Sequence, residues 1–110
     1  MSIKIITQKE GIERRISDTY TVMNFITAAD SDKFSLAMST ANQHNKTTLS
    51  TSERAYYILE WELIIDGQRA KEGDVVFISA NTKYNFKGNF KAILINSPPF
   101  KIENETTIQI

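Results

Sequence analysis

Residues 54–65, Arg-Ala-Tyr-Tyr-Ile-Leu-Glu-Trp-Glu-Leu-Ile-Ile, run directly into Asp66-Gly67. An Asp-Gly pair after such a run is a strong hairpin signal, because a type I′ turn needs positive φ at both central residues. The run itself is rich in β-branched and aromatic residues and holds no proline or glycine, so it reads as a long strand that must pair. Its odd positions, Tyr57, Leu59, Trp61, Leu63 and Ile65, make an unbroken apolar stripe; its even positions carry Arg54, Tyr56, Ile58, Glu60, Glu62 and Ile64. A one-residue change of register exchanges the two faces, and the sequence leaves open which of them lines an interior.

A second run follows at once. Glu72-Gly73-Asp74 turns the chain into Val75-Val-Phe-Ile78, and a short connection leads to Tyr84-Asn-Phe86. Lys87-Gly-Asn89 is expected to turn the chain into residues 90–95, and Pro98-Pro99 ends that strand because proline cannot donate to a ladder. Upstream, residues 3–6 suit an edge strand, residues 8–18 are polar with a helical turn possible at Ile12 and Ile16, and residues 20–27 alternate as a strand. Phe34, Leu36 and Met38 alternate with Ser35, Ala37 and Ser39 in a half-buried pattern. Residues 40–52 are almost wholly polar and read as a long loop or weak edge strand. The tail has one late β-like patch at residues 106–110. Many short strands with turns between them, and no strongly periodic helix, specify an all-β sandwich or barrel.

At 110 residues the chain is expected to form a single domain, residues 1–110, with its own core. Thirteen basic and thirteen acidic residues cancel, which argues against a phosphate-tracking surface and hence against nucleic acid as a partner. The absence of cysteine excludes disulfides, thiolate metal sites and a cysteine nucleophile. The opening apolar run is too short for a signal segment or a membrane span, so a cytoplasmic location and no membrane partner are expected.

Tyr57-Ile-Leu-Glu-Trp-Glu62, Asp66-Gly67 and Gly73-Asp-Val-Val-Phe-Ile-Ser-Ala-Asn-Thr-Lys-Tyr84 carry a family resemblance. Residues 53–100 resemble a small single-domain cupin. That family's first motif reads His-x-His, three or four residues, Glu, then Tyr-Val-Leu-Glu-Gly-Glu and a turn ending in Gly. Its second reads Gly-Asp, an apolar strand, Pro-x-Gly, two residues, then His. The resemblance implies a cupin-type double-stranded β-helix, a jelly-roll barrel. It also locates departures. The family's metal-binding Glu falls on Arg54, its paired His positions fall within residues 46–50, and its last His falls on Tyr84. The Gly after Leu-Glu is Trp61. Imidazoles are the usual ligands for transition metals on such a scaffold, and the one histidine, His44, lies outside the motif spacing. No metal and no cofactor are therefore expected.

On the resemblance, Tyr84 points into the barrel, and Arg54 does so if the even face of its strand lines the interior. A phenol there can hydrogen-bond a ligand or exchange a proton; a guanidinium there is a natural clamp for a carboxylate or phosphate unless an internal acid such as Glu53 or Glu60 pairs with it. Arg54, Tyr56 and Tyr84 are the expected ligand contacts. Glu53, Glu60 and Glu62 are possible carboxylate bases, and His44 is read as part of a polar loop. The function expected is metal-independent, non-catalytic binding of a small polar or anionic ligand, a sugar derivative or organic acid. The alternatives are a metal-independent isomerase, epimerase or lyase using Tyr84 and a glutamate, or a purely structural dimer module. If residues 54, 56 and 58 face inward, the opposite stripe needs a cover, and a homodimer is the expected partner arrangement.

Overall fold

The computed structural model describes residues 2–108. It is all-β, with eight strands: β1 (Ile12–Ser17), β2 (Tyr20–Ile26), β3 (Ser35–Ser50), β4 (Glu53–Ile65), β5 (Gln68–Lys71), β6 (Val75–Ile78), β7 (Thr82–Ser97) and β8 (Glu105–Ile108). All pairings are antiparallel, in the order β1-β2-β3-β7-β4-β5, with β6 also on β4 and β8 also on β3. Among the described residues no helix is long and apolar enough to cross a membrane.

Three long strands make this one hydrogen-bonded array into a barrel. The first part of β3 pairs β2 and its last part pairs β8; the first part of β4 pairs β6 and its last part pairs β5. Strand β7 runs between them through both halves. The register breaks between Ala41 and His44 on β3 and between Ile58 and Glu60 on β4, with Gln43 and Trp61 at positive φ. Both breaks lie against residues 88–92 of β7, where Gly88 has φ of 116°. Bulges bend strands, so aligned bulges fold the sheet across one line and bring its halves face to face.

The β4 bulge decides which residues fill the interior. Before it, Arg54, Tyr56 and Ile58 are buried; after it, the parity switches and Leu63 is fully buried, with Ile65 packed on the core. The apolar odd stripe is therefore split between inside and outside, with Tyr57 outside and Leu63 inside. Tyr20, Tyr56, Phe86 and Phe90 pack around Ile58 and Leu63, with ring centroids 5.7–6.5 Å apart. Asp66 and Gly67 have φ of 47° and 80°, as the I′ hairpin requires.

Several local expectations are corrected. Residues 40–52 are not a loop: the polar run is the second half of β3, held between β7 and β8. Its threonines suit a strand, and its inward hydroxyls find backbone partners, as when Thr48 Oγ1 donates to the Thr106 carbonyl at 3.1 Å. Residues 87–89 do not turn the chain but lie within the continuous β7. Residues 3–6 form no strand, and residues 12–17 are an edge strand rather than a helical turn, preceded by a single 3₁₀ turn at Gln8–Glu10. In β3 the small residues Ser35, Ala37, Ser39 and Ala41 face inward, while Leu36 and Met38 face outward. The late β patch is β8 as far as Ile108; its last two residues lie outside the described chain.

Candidate functional site

Three of the strands that form the barrel wall converge on Arg54, the first inward residue of β4. Its register partner on β7 is Asn96. Arg54 Nε donates to Asn96 Oδ1 at 2.5 Å, Nη1 donates to the Tyr84 hydroxyl at 2.8 Å, and Nη2 donates to Glu105 Oε1 at 2.7 Å. The Tyr84 hydroxyl lies 3.1 Å from that of Tyr56. The ion pair is deeply set, with side-chain exposures of 5% for Arg54 and 13% for Glu105. Burial opposes the guanidinium charge, but the oxygens of Tyr56, Tyr84 and Glu105 outweigh it and hold Arg54 more firmly protonated than a free arginine. Burial, reinforced by Tyr84, pushes the Tyr56 phenol well above its ordinary range. Burial likewise pushes Tyr20 up to about 12. These two phenols are neutral hydrogen-bonding groups at neutral pH.

Above this network lies a cavity of about 240 Å³, whose wall includes Arg14, Tyr20, Lys46, Asn96, Phe100 and Glu105. Glu105 joins the two levels. Its Oε1 is bound to Arg54, while its buried Oε2 has no hydrogen-bond partner among the described residues. Lys46 sits on β3 between inward-facing His44 and Thr48 and opposite buried Phe86, which fixes it on the inner surface. Arg14, from edge strand β1, lies over the Phe100 ring at 5.7 Å. Arg14, Lys46 and Glu105 thus line one largely apolar space.

The structure brings together the three residues expected at the site, Arg54, Tyr56 and Tyr84, but at the level beneath the cavity wall. Arg54 is engaged by internal acceptors and is not itself in the cavity wall, whereas its partners Glu105 and Asn96 are. The acid that pairs with it is Glu105, not Glu53 or Glu60 as weighed from sequence, because β8 folds back along β3. Glu60 pairs with Lys91 at 3.2 Å and Glu62 with Arg69 at 3.4 Å, both on the outer surface, and Glu53 is exposed. His44 is not in a polar loop. It is 7% exposed, stacked on Tyr20 at 4.6 Å, with Nδ1 2.8 Å from Thr19 Oγ1 and Nε2 unpartnered. Lys46, Asn96, Arg14 and Glu105 were missed. Alternation along residues 44–48 would have found Lys46 once that stretch was recognised as a strand; nothing local marks Glu105.

The metal implied by the resemblance needs three imidazoles and a carboxylate. The inward positions hold Lys46, Thr48, Arg54 and Tyr84, and among the described residues no three of His, Asp and Glu gather closely enough to hold an ion. This donor set does not fit such a metal.

No family model and no curated protein matches the chain by sequence. Solved structures match closely in backbone. The Streptomyces protein PAC13, a nucleoside dehydratase, superposes with a TM-score of 0.83 at 13% identity, over 99% of this chain and 93% of its own. Related PAC13 structures, with a tyrosine or a histidine substituted, hold uridine. The polyketide cyclase RemF from Streptomyces resistomycificus gives 0.75 at 14% identity over 99% and 87% of the two chains. Ectoine synthase from P. lautus gives 0.70 at 16%, over 99% and 91%. The fold is a cupin-type barrel.

Two outcomes follow from the site. Arg54→Met leaves the Glu105 carboxylate buried and unpaired, so it should cost about 3 kcal/mol in chemical denaturation, and adding Glu105→Gln should recover part of that loss. Burial, aided by the nearby Lys46 charge, pulls His44 down to about 4. Between its unfolded value near 6.5 and that folded value, the unfolded chain binds the extra proton. Stability should therefore fall by about 3 kcal/mol as pH drops through this window. His44→Gln should flatten the slope in denaturation measured across the same range.

Proposed function

We propose that the barrel binds a small polar or anionic ligand, a sugar derivative or organic acid, in the cavity above Arg54. The observation that carries this reading is the composition of the cavity wall: Glu105, whose buried Oε2 has no hydrogen-bond partner among the described residues, lies in it together with Lys46 and Arg14. The Glu105 side chain in that wall is suited to a ligand hydroxyl or amine. Asn96 offers a second polar contact beside it, the two cations receive an acidic group, and the apolar wall receives a carbon skeleton. The Arg54–Tyr84–Tyr56 network holds Glu105 and Asn96 in place from below. Uridine in PAC13 is itself a sugar derivative, which favours this ligand class.

A second reading, metal-independent isomerase, epimerase or lyase chemistry, draws on the same residue. Glu105 lies in the cavity wall, and the backbone neighbours include a nucleoside dehydratase and a polyketide cyclase. In this reading Glu105 is the glutamate and Tyr84 acts through Arg54. The absence of cysteine accords with a cytoplasmic setting for either.

The ligand reading is tested by thermal shift against a panel of organic acids, sugar phosphates and uridine. At least one member should raise the melting temperature, and Arg14→Ala should abolish that rise for acidic members. A panel without effect defeats the reading.

The partner in this reading is a second copy of the chain. Tyr57 on β4, Val75 and Phe77 on β6 and Ile95 on β7 are exposed on one side of the sheet, with Val75 and Phe77 about 65% and 64% open. They are cross-strand neighbours, Tyr57 opposite Val75 and Ala55 opposite both Phe77 and Ile95, so they form one apolar patch. A self-complementary sheet face is the usual material of a two-fold interface. Sedimentation equilibrium should show a dimer that Phe77→Asp converts to monomer; a monomer at every concentration would exclude the arrangement.

A further inference from the structure

Lys46 stands out among the lysines of this chain. It projects from β3 at a position flanked by buried His44 and Thr48 and directly opposite buried Phe86, so backbone register alone places it on the inner surface. Its side chain reaches the cavity shared with Glu105, Arg14 and Asn96. Its ammonium makes no ion pair and no hydrogen bond among the described residues, whereas Arg54, two strands away, is fully engaged. An inward amine without a partner is destabilised as a cation, and the relief open to it is to lose its proton.

We infer that Lys46 is a nucleophilic amine that forms a reversible imine with an aldehyde or 2-oxo acid bound in the cavity. This rests on the cavity being the ligand site and names the ligand's reactive group. The chemistry balances with groups in the cavity. Neutral Nζ adds to the carbonyl carbon, the carbonyl π pair moves to oxygen, and a proton shift gives the carbinolamine. A proton from solvent in the cavity is taken up by the departing hydroxyl, which leaves as water. The product is the protonated imine at Nζ. Arg14 is suited to the carboxylate of a 2-oxo acid and Asn96 to its remaining polar group.

The electrostatics agree in direction. Burial lowers the affinity of Lys46 for its proton, Glu105 works the other way, and Arg54 and Arg14 add to the lowering. His44 and Tyr20, on the same inner surface, are neutral near pH 7, so neither supplies a charge that reverses this. A larger share of neutral amine than an exposed lysine holds is therefore present at neutral pH.

The test is reductive trapping of the intact protein with pyruvate and cyanoborohydride at pH 7, read by intact mass and peptide mapping, with a pyruvate thermal shift run in parallel. One adduct per chain at Lys46 is expected, lost in Lys46→Arg and retained in Lys87→Arg, a surface control. Adducts spread over exposed lysines would overturn the inference. A thermal shift without an adduct would overturn it too, while leaving the ligand reading intact. Neither shift nor adduct would overturn it and count against the 2-oxo acid as ligand.

Discussion

A single buried ion pair ties this barrel together. Arg54 and Glu105 are fifty-one residues apart, and their contact fastens the C-terminal strand to the middle of the chain. Charges taken out of water are costly unless their remaining hydrogen-bonding groups are met, and here most are: Asn96 and Tyr84 take two further guanidinium donors. Within this network, among the described residues, the group left without a partner is Glu105 Oε2, which is buried. Glu105 and Asn96 belong both to the network and to the cavity wall, so the pair sets the shape of that wall as well as the closure of the barrel.

The fold was largely legible because its signals are local or strictly periodic. The Asp66-Gly67 turn acts through φ values that few residue pairs adopt, and both are observed. The even face of the strand after Arg54 lies inward as far as Ile58. Beyond that point alternation misleads, since the bulge near Leu59 and Trp61 reverses parity and turns Leu63 inward. Such a bulge has no composition of its own when a tryptophan occupies the position where the resemblance leads one to expect glycine. The polar run at 40–52 misled for another reason: hydroxyls and amides suggest a loop, yet inside this barrel they answer backbone groups of β8 and the exit segment.

The site was legible in part. Arg54, Tyr56 and Tyr84 lie on strands whose motifs are continuous in sequence, so their convergence could be foreseen. Glu105 could not, because it depends on a strand pairing made after the Pro98-Pro99 exit, by a segment with little pattern. Lys46 was hidden by the misread strand. Side chains that complete a site through distant pairing are the ones that a single sequence conceals.

The chain's lone tryptophan gains a use from its setting. Trp61 sits at the crease where the two halves of the sheet meet, 58% exposed, and is not part of the cavity wall. Its emission is therefore a gauge of the crease. Trp61 also lines a separate surface hollow with Thr40, Glu62 and Asn89, so a spectral change on adding a small molecule would report either an occupant of that hollow or a shift of the two halves against each other.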